Sequence, residues 1–315
     1  MEGWFLANGV KKLLQESDAG TFLDGRSTYD YLYEAVRDFN SRTHFLTSSQ
    51  SISVVADTTG YKLNHDYGGL RDLNEDNRYF IKYVTGGATY FLYELHRPDV
   101  VLANNTTSVS VPSGFYIADA SDYSNITGTT TSAGASTNGE CTLTDSTAPF
   151  ANVAAGDFVH NTTDGSHGVV VSVTSTSALV CALFGGTDND FTSSDAYVIV
   201  PQTRHQLILD PPPSATATIT LNYIQIPNPV YSSYRKYRLP DAYREAIIKY
   251  AAYMYRYRDK EPASGDAFFK YYERQVMKAA QEMRRTLPQR ANFRVNLRKV
   301  NPRSRPLGHW SGGGI

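Results

Sequence analysis

The chain has 315 residues and a formal net charge of −1, and its composition is 41% hydrophobic, 19% charged and 12% aromatic. This composition excludes a wholly disordered chain and a collagen-like repeat, and no apolar run approaches the ~18 residues that cross a bilayer. Residues 1–12 lack the charged start, apolar core and cleavage site of a signal peptide, so no secretory signal is predicted. The length favours two domains, or one domain with a large insertion.

The near-zero net charge is a cancellation between three segments. Residues 1–97 carry 10 basic and 13 acidic side chains, residues 98–203 carry none and 10, and residues 204–315 carry 20 and 8. No acidic residue follows Glu282, whereas eight basic residues do. An asymmetry of this kind indicates a tail that interacts with a partner.

The amino-terminal part predicts two helices. A short apolar stripe at 10–14 indicates the first, and apolar residues at three-to-four spacing predict the second over about 28–41. Ser27 is the expected N-cap of the second helix, and Asp30 would favour its positive end.

From Ser49 the apolar pattern changes to a period of two, which predicts strands of an antiparallel sheet. The strongest strand is expected at 216–223, and the prolines at 211–213 must connect strands, because proline cannot donate within a sheet. The other strands of this sheet are predicted at 51–54, 61–63, 79–84, 89–95, 108–111 and 206–209.

The segment at 119–200 has a different texture, dominated by Thr, Ser, Gly, Asn and Ala. Short strands at this spacing, separated by turn residues, predict a small β-sandwich or barrel inserted into a parent domain of residues 1–118 and 201–288. Its strand candidates are 140–143, 157–160, 169–173, 178–183 and 196–200.

Two amphipathic helices follow. The first opens at Asp241 and carries an apolar stripe to Tyr257, and the second is capped by Ser264 and ends at Pro288. The short connection predicts an antiparallel pair. The predicted class is therefore α+β: a helical bundle made of the amino-terminal helices and this pair, an antiparallel β-sheet, the inserted β-domain, and an extended carboxy-terminal arm at 289–315.

No motif for catalysis or for binding a cofactor is recognisable. The chain has no glycine-rich phosphate loop, no nucleophile elbow and no zinc-protease motif, so neither enzyme activity nor a cofactor or metal site is predicted. His160 and His167 could be metal ligands, but the interpretation that they are ordinary residues of surface turns is favoured. Cys141 and Cys181 are interpreted as small buried side chains, with a disulfide as the alternative.

The arm has three interpretations: a nucleic-acid-binding arm, a solvated tail, and a segment that folds onto a protein partner. The first lacks a recognisable groove-binding motif, and the second would leave apolar side chains in water. The third uses both charge and apolar anchors and is favoured. The expected partner-binding residues are Arg290, Arg294, Leu297, Arg298, Lys299, Val300, Arg303, Arg305, Leu307 and Trp310.

Several stretches resemble the head-to-tail adaptor (connector) proteins of tailed bacteriophages. They are TYDYLYEAVRDFNSRT at 28–43, SISVVAD at 51–57, GYKLN at 60–64, and RLPDAYREAIIKYAAYMY at 238–255 together with the helix at 268–285. The stretch AGDFVHNTTDGS at 155–166 is similar to small β-modules carried on phage structural proteins, although such an insertion departs from the family's minimal pattern.

The resemblance implies a non-enzymatic virion protein at the head–tail junction, assembled in the host cytoplasm as a ring, commonly of twelve copies. Its partners would be the portal protein clasped by the arm, neighbouring adaptor subunits, and the next tail or nozzle protein. The ring would complete the conduit for DNA ejection, with non-specific contact to traversing DNA and no contact with a membrane. The alternative is a phage tail or capsid decoration protein whose inserted β-domain binds host-surface carbohydrate.

Overall fold

The computed structural model describes residues 2–15, 25–73, 78–95, 108–120, 124–137, 139–202, 204–232, 235–258 and 262–286. Within these ranges the helices are α1 (Gly3–Leu14), α2 (Gly25–Thr43), α3 (Arg244–Arg258) and α4 (Pro262–Thr286). The strands are β1 (Thr47–Val54), β2 (Gly60–Lys62), β3 (Tyr67–Leu70), β4 (Phe80–Thr85), β5 (Ala88–Glu94), β6 (Gly114–Ala120), β7 (Ile126–Thr129), β8 (Cys141–Thr144), β9 (Phe158–Asn161), β10 (His167–Ser175), β11 (Ala178–Phe184), β12 (Ala196–Val200), β13 (Arg204–Asp210) and β14 (Ala217–Gln225).

The larger sheet has eight strands in the order β1-β14-β4-β5-β6-β13-β2, with β3 also paired to β14. In β14, Ile219, Leu221 and Tyr223 are buried and alternate with threonine and asparagine, as the period of two predicts. The two ends of this order approach each other, because the side chain of Gln50 on β1 donates to the carbonyl of Lys62 at 3.1 Å and accepts from the amide of Asn64 at 2.9 Å. The sheet is therefore a nearly closed barrel.

The smaller sheet has six strands in the order β7-β12-β9-β10-β11-β8 and forms a half-barrel. Its core contains Leu143, Phe150, Val170, Leu179 and Ile199, all almost completely buried.

The four helices share a third core. α3 packs against the other three helices, and Tyr255 of α3 and Tyr272 of α4 are fully buried in it beside Phe39 of α2. The start of α3 meets the end of α4, because the hydroxyl of Tyr243 donates to the carboxylate of Glu282. The two helices are therefore antiparallel.

The predicted fold class, a helical bundle with a sheet and an inserted β-domain, is wrong. The described residues contain more strand than helix, and the two curved sheets are the main architecture. The helices are the most visible elements in the sequence, because the apolar residues of each one recur with the helical period over a long uninterrupted stretch. The strands have three to nine residues, and partners such as Thr47 and Ile224 are far apart in the chain, so the extent of the sheets is not visible locally. The domain boundaries at 119–200 and 289–315 stay predictions.

Several local expectations also change. The larger sheet is not purely antiparallel, since β5 and β6 run parallel. No strand forms at 108–111, where Val109 makes a single bridge to Pro213; the strand lies later, in β6. Ser27 and Ser264 lie inside α2 and α4 rather than capping them. α4 begins at Pro262, whose fixed φ suits a first helical position.

Candidate assembly surfaces

The ten partner-binding residues predicted in the arm all lie outside the described residues. The structure does define the helix from which the arm continues, since α4 ends at Thr286. The expectation that the arm binds a partner therefore stays a prediction, and α4 is the described element that precedes the arm.

α4 is anchored to α2 by polar contacts along its middle. Arg42 donates to both carboxylate oxygens of Glu273 at 2.5 and 2.8 Å, a bidentate geometry. The hydroxyl of Tyr272 donates to Asp38 at 2.6 Å. The hydrogen bond from Arg42 holds the pKa of Glu273 below its ordinary value, and burial opposes that shift. α4 therefore offers a fixed base for the segment that follows it.

A groove runs between α1 and α3 on the helical side of the molecule. Trp4 and Phe5 line it side by side and are 43% and 41% exposed. The helices approach closely where Gly9 faces Ile248, since a Cβ atom on Gly9 would lie 2.4 Å from the end of that side chain. The groove has a volume of about 670 Å³.

The charged side chains of this groove are mainly basic. The guanidinium of Arg244 lies 4.4 Å from the centre of the Phe5 ring, a cation–π contact. Lys12 and Lys249 also line the groove, and Glu245 is the acidic residue among its lining side chains. Glu245 is already engaged, because it pairs with Lys249 at 2.8 Å and accepts from Tyr271 at 3.0 Å.

The opposite charge gathers on loops of the six-stranded sheet. Asn161 donates to Asp164 at 2.9 Å and to Asp195 at 3.1 Å, and Asp188 and Asp190 lie on the neighbouring loop. Burial raises the pKa of Asp164, and repulsion from these carboxylates adds to the shift. Among the described residues no salt bridge joins Asp164, Asp188 or Asp190 to a basic side chain, and residues 98–203 contain no lysine or arginine to supply one.

The six-stranded sheet is docked against the helices through a small aromatic cluster. The hydroxyl of Tyr231 donates to Asp30 of α2, and the Tyr231 ring lies 5.6 Å from that of Phe184 on β11. The guanidinium of Arg26 lies 4.6 Å from the centre of the same Phe184 ring. These contacts make the sheet part of the body of the molecule.

A buried ion pair joins the two sheets. Arg204 at the start of β13 is 6% exposed and places Nη2 at 2.7 Å from both carboxylate oxygens of Asp157, which is fully buried. Backbone amides of Ala154 and Gln202 donate to the same carboxylate at 2.8 and 3.0 Å. Arg204 is the first basic residue after the segment that has none, and its side chain turns back towards that segment.

The structure also bears on the weaker chemical alternatives. His160 and His167 face each other across β9 and β10, and no group of three or more potential metal ligands occurs in the described ranges. Cys141 and Cys181 are free and buried, as predicted, and burial raises the pKa of Cys141 to about 12. Most aromatic rings of the six-stranded sheet are buried rather than displayed for a sugar; the buried rings are Phe150, Phe191 and Tyr197.

Comparison with known families identifies this assembly of helices and sheets. A family model described as SU10 adaptor protein matches residues 116–300, more than half of the chain. The chain belongs to the SU10 adaptor protein family. No curated protein matches the chain. The adaptor is therefore a structural component of a bacteriophage virion that interacts with other virion proteins, and this role is not an enzymatic one.

The family match covers a different part of the adaptor from the early motifs that resemble connectors. It runs through the six-stranded sheet, α3 and α4, whereas the stretches at 28–43 and 51–64 precede it. The expected family is confirmed. Among the helices that the structure describes, none is long and apolar enough to cross a membrane.

The residues that line this groove were not predicted from the sequence. Counting from Val10 and Leu14 with a period of 3.6 places Leu6 on the buried face of α1 and leaves Trp4 and Phe5 off it. Two large aromatic residues outside the apolar stripe of an amphipathic helix are a signal for contact with a partner.

Proposed function

We propose that this adaptor forms a ring beneath the portal protein of its phage, that its arm at 289–315 docks on the portal, and that the ring completes the DNA conduit to the tail. The role of the family, a phage structural adaptor, is the basis of the proposal. The ring, commonly of twelve copies in adaptors that this chain resembles, requires each subunit to contact two neighbours through different surfaces.

The observation that carries arm docking is the composition of the chain beyond α4. The segment 289–315 has six basic residues, no acidic residue, and apolar side chains that include Leu297, Val300, Leu307 and Trp310. Charge accelerates the encounter with an acidic surface, whereas buried apolar side chains slow dissociation. A segment with both features is suited to a protein partner, and α4 fixes where it starts.

The test is a pull-down with purified portal protein, comparing the full chain with a variant that lacks residues 289–315. We expect the truncated adaptor to keep its thermal midpoint and lose portal binding. Equal binding by a folded truncated protein would refute arm docking.

Two further full-length variants separate charge from apolar anchoring. Replacing the six arginine and lysine residues of the segment by glutamine should lower the association rate and weaken its salt dependence. Replacing Leu297, Val300, Leu307 and Trp310 by serine should raise the dissociation rate instead. Surface plasmon resonance at several salt concentrations measures both rates.

A further inference from the structure

The groove between α1 and α3 is an exposed surface with both apolar and charged recognition groups. Trp4 and Phe5 are large rings left more than two-fifths exposed, and tryptophan and arginine are the residue types that most often dominate binding energy at interfaces. Arg244 is exposed while lying over Phe5, so it presents its charge at the same place as the ring.

The charge of the groove selects among candidate occupants. Lys12, Arg244 and Lys249 outnumber Glu245, so the groove favours an acidic surface. The arm of the same chain is excluded on this ground, because residues 289–315 carry only positive charges. A matching surface exists on the chain itself, at the loops of the six-stranded sheet that carry Asp164, Asp188 and Asp190.

Among the described residues, no salt bridge reaches the loop carboxylates of Asp164, Asp188 and Asp190. Asp188 is exposed, and Asp164 and Asp190 are half-buried beside it. Burial raises the pKa of Asp164, and repulsion from the neighbouring carboxylates adds to the shift, so their crowding is unfavourable in the isolated subunit. A basic surface from another molecule would relieve this repulsion.

We propose that the groove between α1 and α3 receives the acidic loops of the six-stranded sheet of a second copy of this chain, and that this contact joins neighbouring subunits. The inference rests on the ring of the proposed function and names the two surfaces that meet. They are different surfaces of one subunit, so the contact is heterologous and repeats from copy to copy, as ring closure requires.

The test reverses charge on each side of the contact in the full-length protein. K12E/R244E changes the groove, D188K/D190N changes the loops, and R274E/K278E is a matched control on two exposed basic residues of α4 outside the groove. Ring formation is measured by sedimentation velocity and electron microscopy, alone and with purified portal, and circular dichroism checks that each variant is folded.

We expect K12E/R244E and D188K/D190N each to weaken subunit association roughly 100-fold at about 0.1 M salt, and R274E/K278E to leave it unchanged. A chain that carries both K12E/R244E and D188K/D190N should associate at least tenfold more strongly than either variant alone. In this chain the groove is acidic and the loops are basic, so opposite charges meet again. As a second measurement, W4A should weaken association about 30-fold without altering its salt dependence, since it removes an apolar anchor.

Two results would overturn the contact: folded K12E/R244E protein that assembles like wild type, or a combined variant no better than either parent. Either result leaves arm docking intact if the same proteins still bind portal through residues 289–315. A wild-type protein that stays monomeric with and without portal would instead refute the ring, and the groove contact with it.

Discussion

Removing Arg204 tests whether the buried ion pair holds the two sheets together. In the substitution Arg204→Met the apolar volume is kept, but Asp157 stays fully buried without its guanidinium partner. Breaking a buried pair by removing one partner usually costs about 3–5 kcal/mol, because a charge is left uncompensated.

The structure places this variant at the lower end of that range. Asp157 keeps two backbone donors, the amides of Ala154 and Gln202, so part of its hydrogen bonding survives and we expect a loss of about 3 kcal/mol. Asp157→Ala should cost more, about 4–5 kcal/mol, since it leaves the buried guanidinium of Arg204 and both amides without that carboxylate.

The assay is urea denaturation followed by circular dichroism, on the two single variants and the double variant. The double variant should be less destabilised than the sum of the singles by at least about 2 kcal/mol, since neither charge remains. Arg235→Gln is the control, because its 2.6 Å pair with Glu140 is partly exposed and should contribute no more than about 1 kcal/mol. Additive single effects, or a loss below about 1 kcal/mol for Arg204→Met, would refute this account.

Three further predictions concern pH, packing and thiol reactivity. Glu273→Gln should lower the free energy of unfolding by about 1 kcal/mol near neutral pH. The pKa of Glu273 in the folded protein lies below its ordinary 4.5, so its contribution is present above 4.5 and disappears as pH falls through the folded pKa. The thermal midpoints of variant and wild type should therefore converge in acid. Gly168→Ala should destabilise by about 1–3 kcal/mol in chemical denaturation, because its Cβ would lie 1.7 Å from a carbonyl oxygen of the neighbouring strand, whereas Thr174→Ala, exposed on the same strand, should be nearly neutral. Cys141 and Cys181 should not react with a thiol reagent at pH 8 until the protein is unfolded in urea. Both side chains are buried, and burial raises the pKa of each thiol. Rapid reaction of the folded protein would contradict this packing.

Local pattern was sufficient for the helices and for the strongest strands. The period of 3.6 along α2 and the alternation in β14 predict which side chains are buried, because each face is set by neighbours within a few residues. Helix starts were less accurate, since Ser27 and Ser264 have the right side chains for caps while the chain enters each helix two residues earlier.

Some features of the candidate assembly surfaces can be predicted from the sequence, and others cannot. Charge segregation and the basic arm are properties of composition, so they are visible without a structure. The pairing of Asp157 with Arg204 and the meeting of Gly9 with Ile248 are not, because contacts between residues so distant in the chain depend on how the sheets and helices pack.

The sequence by itself determined the family resemblance, the positions of the helices, and the cancellation of charge between an acidic middle segment and a basic end. Only the tertiary structure decided that β-sheet dominates, that the six-stranded sheet is docked on α2 through Tyr231, and that Trp4 and Phe5 remain exposed beside Arg244. The physical reason is that strand pairing and helix packing join residues far apart in the chain, whereas periodicity and charge are local sums.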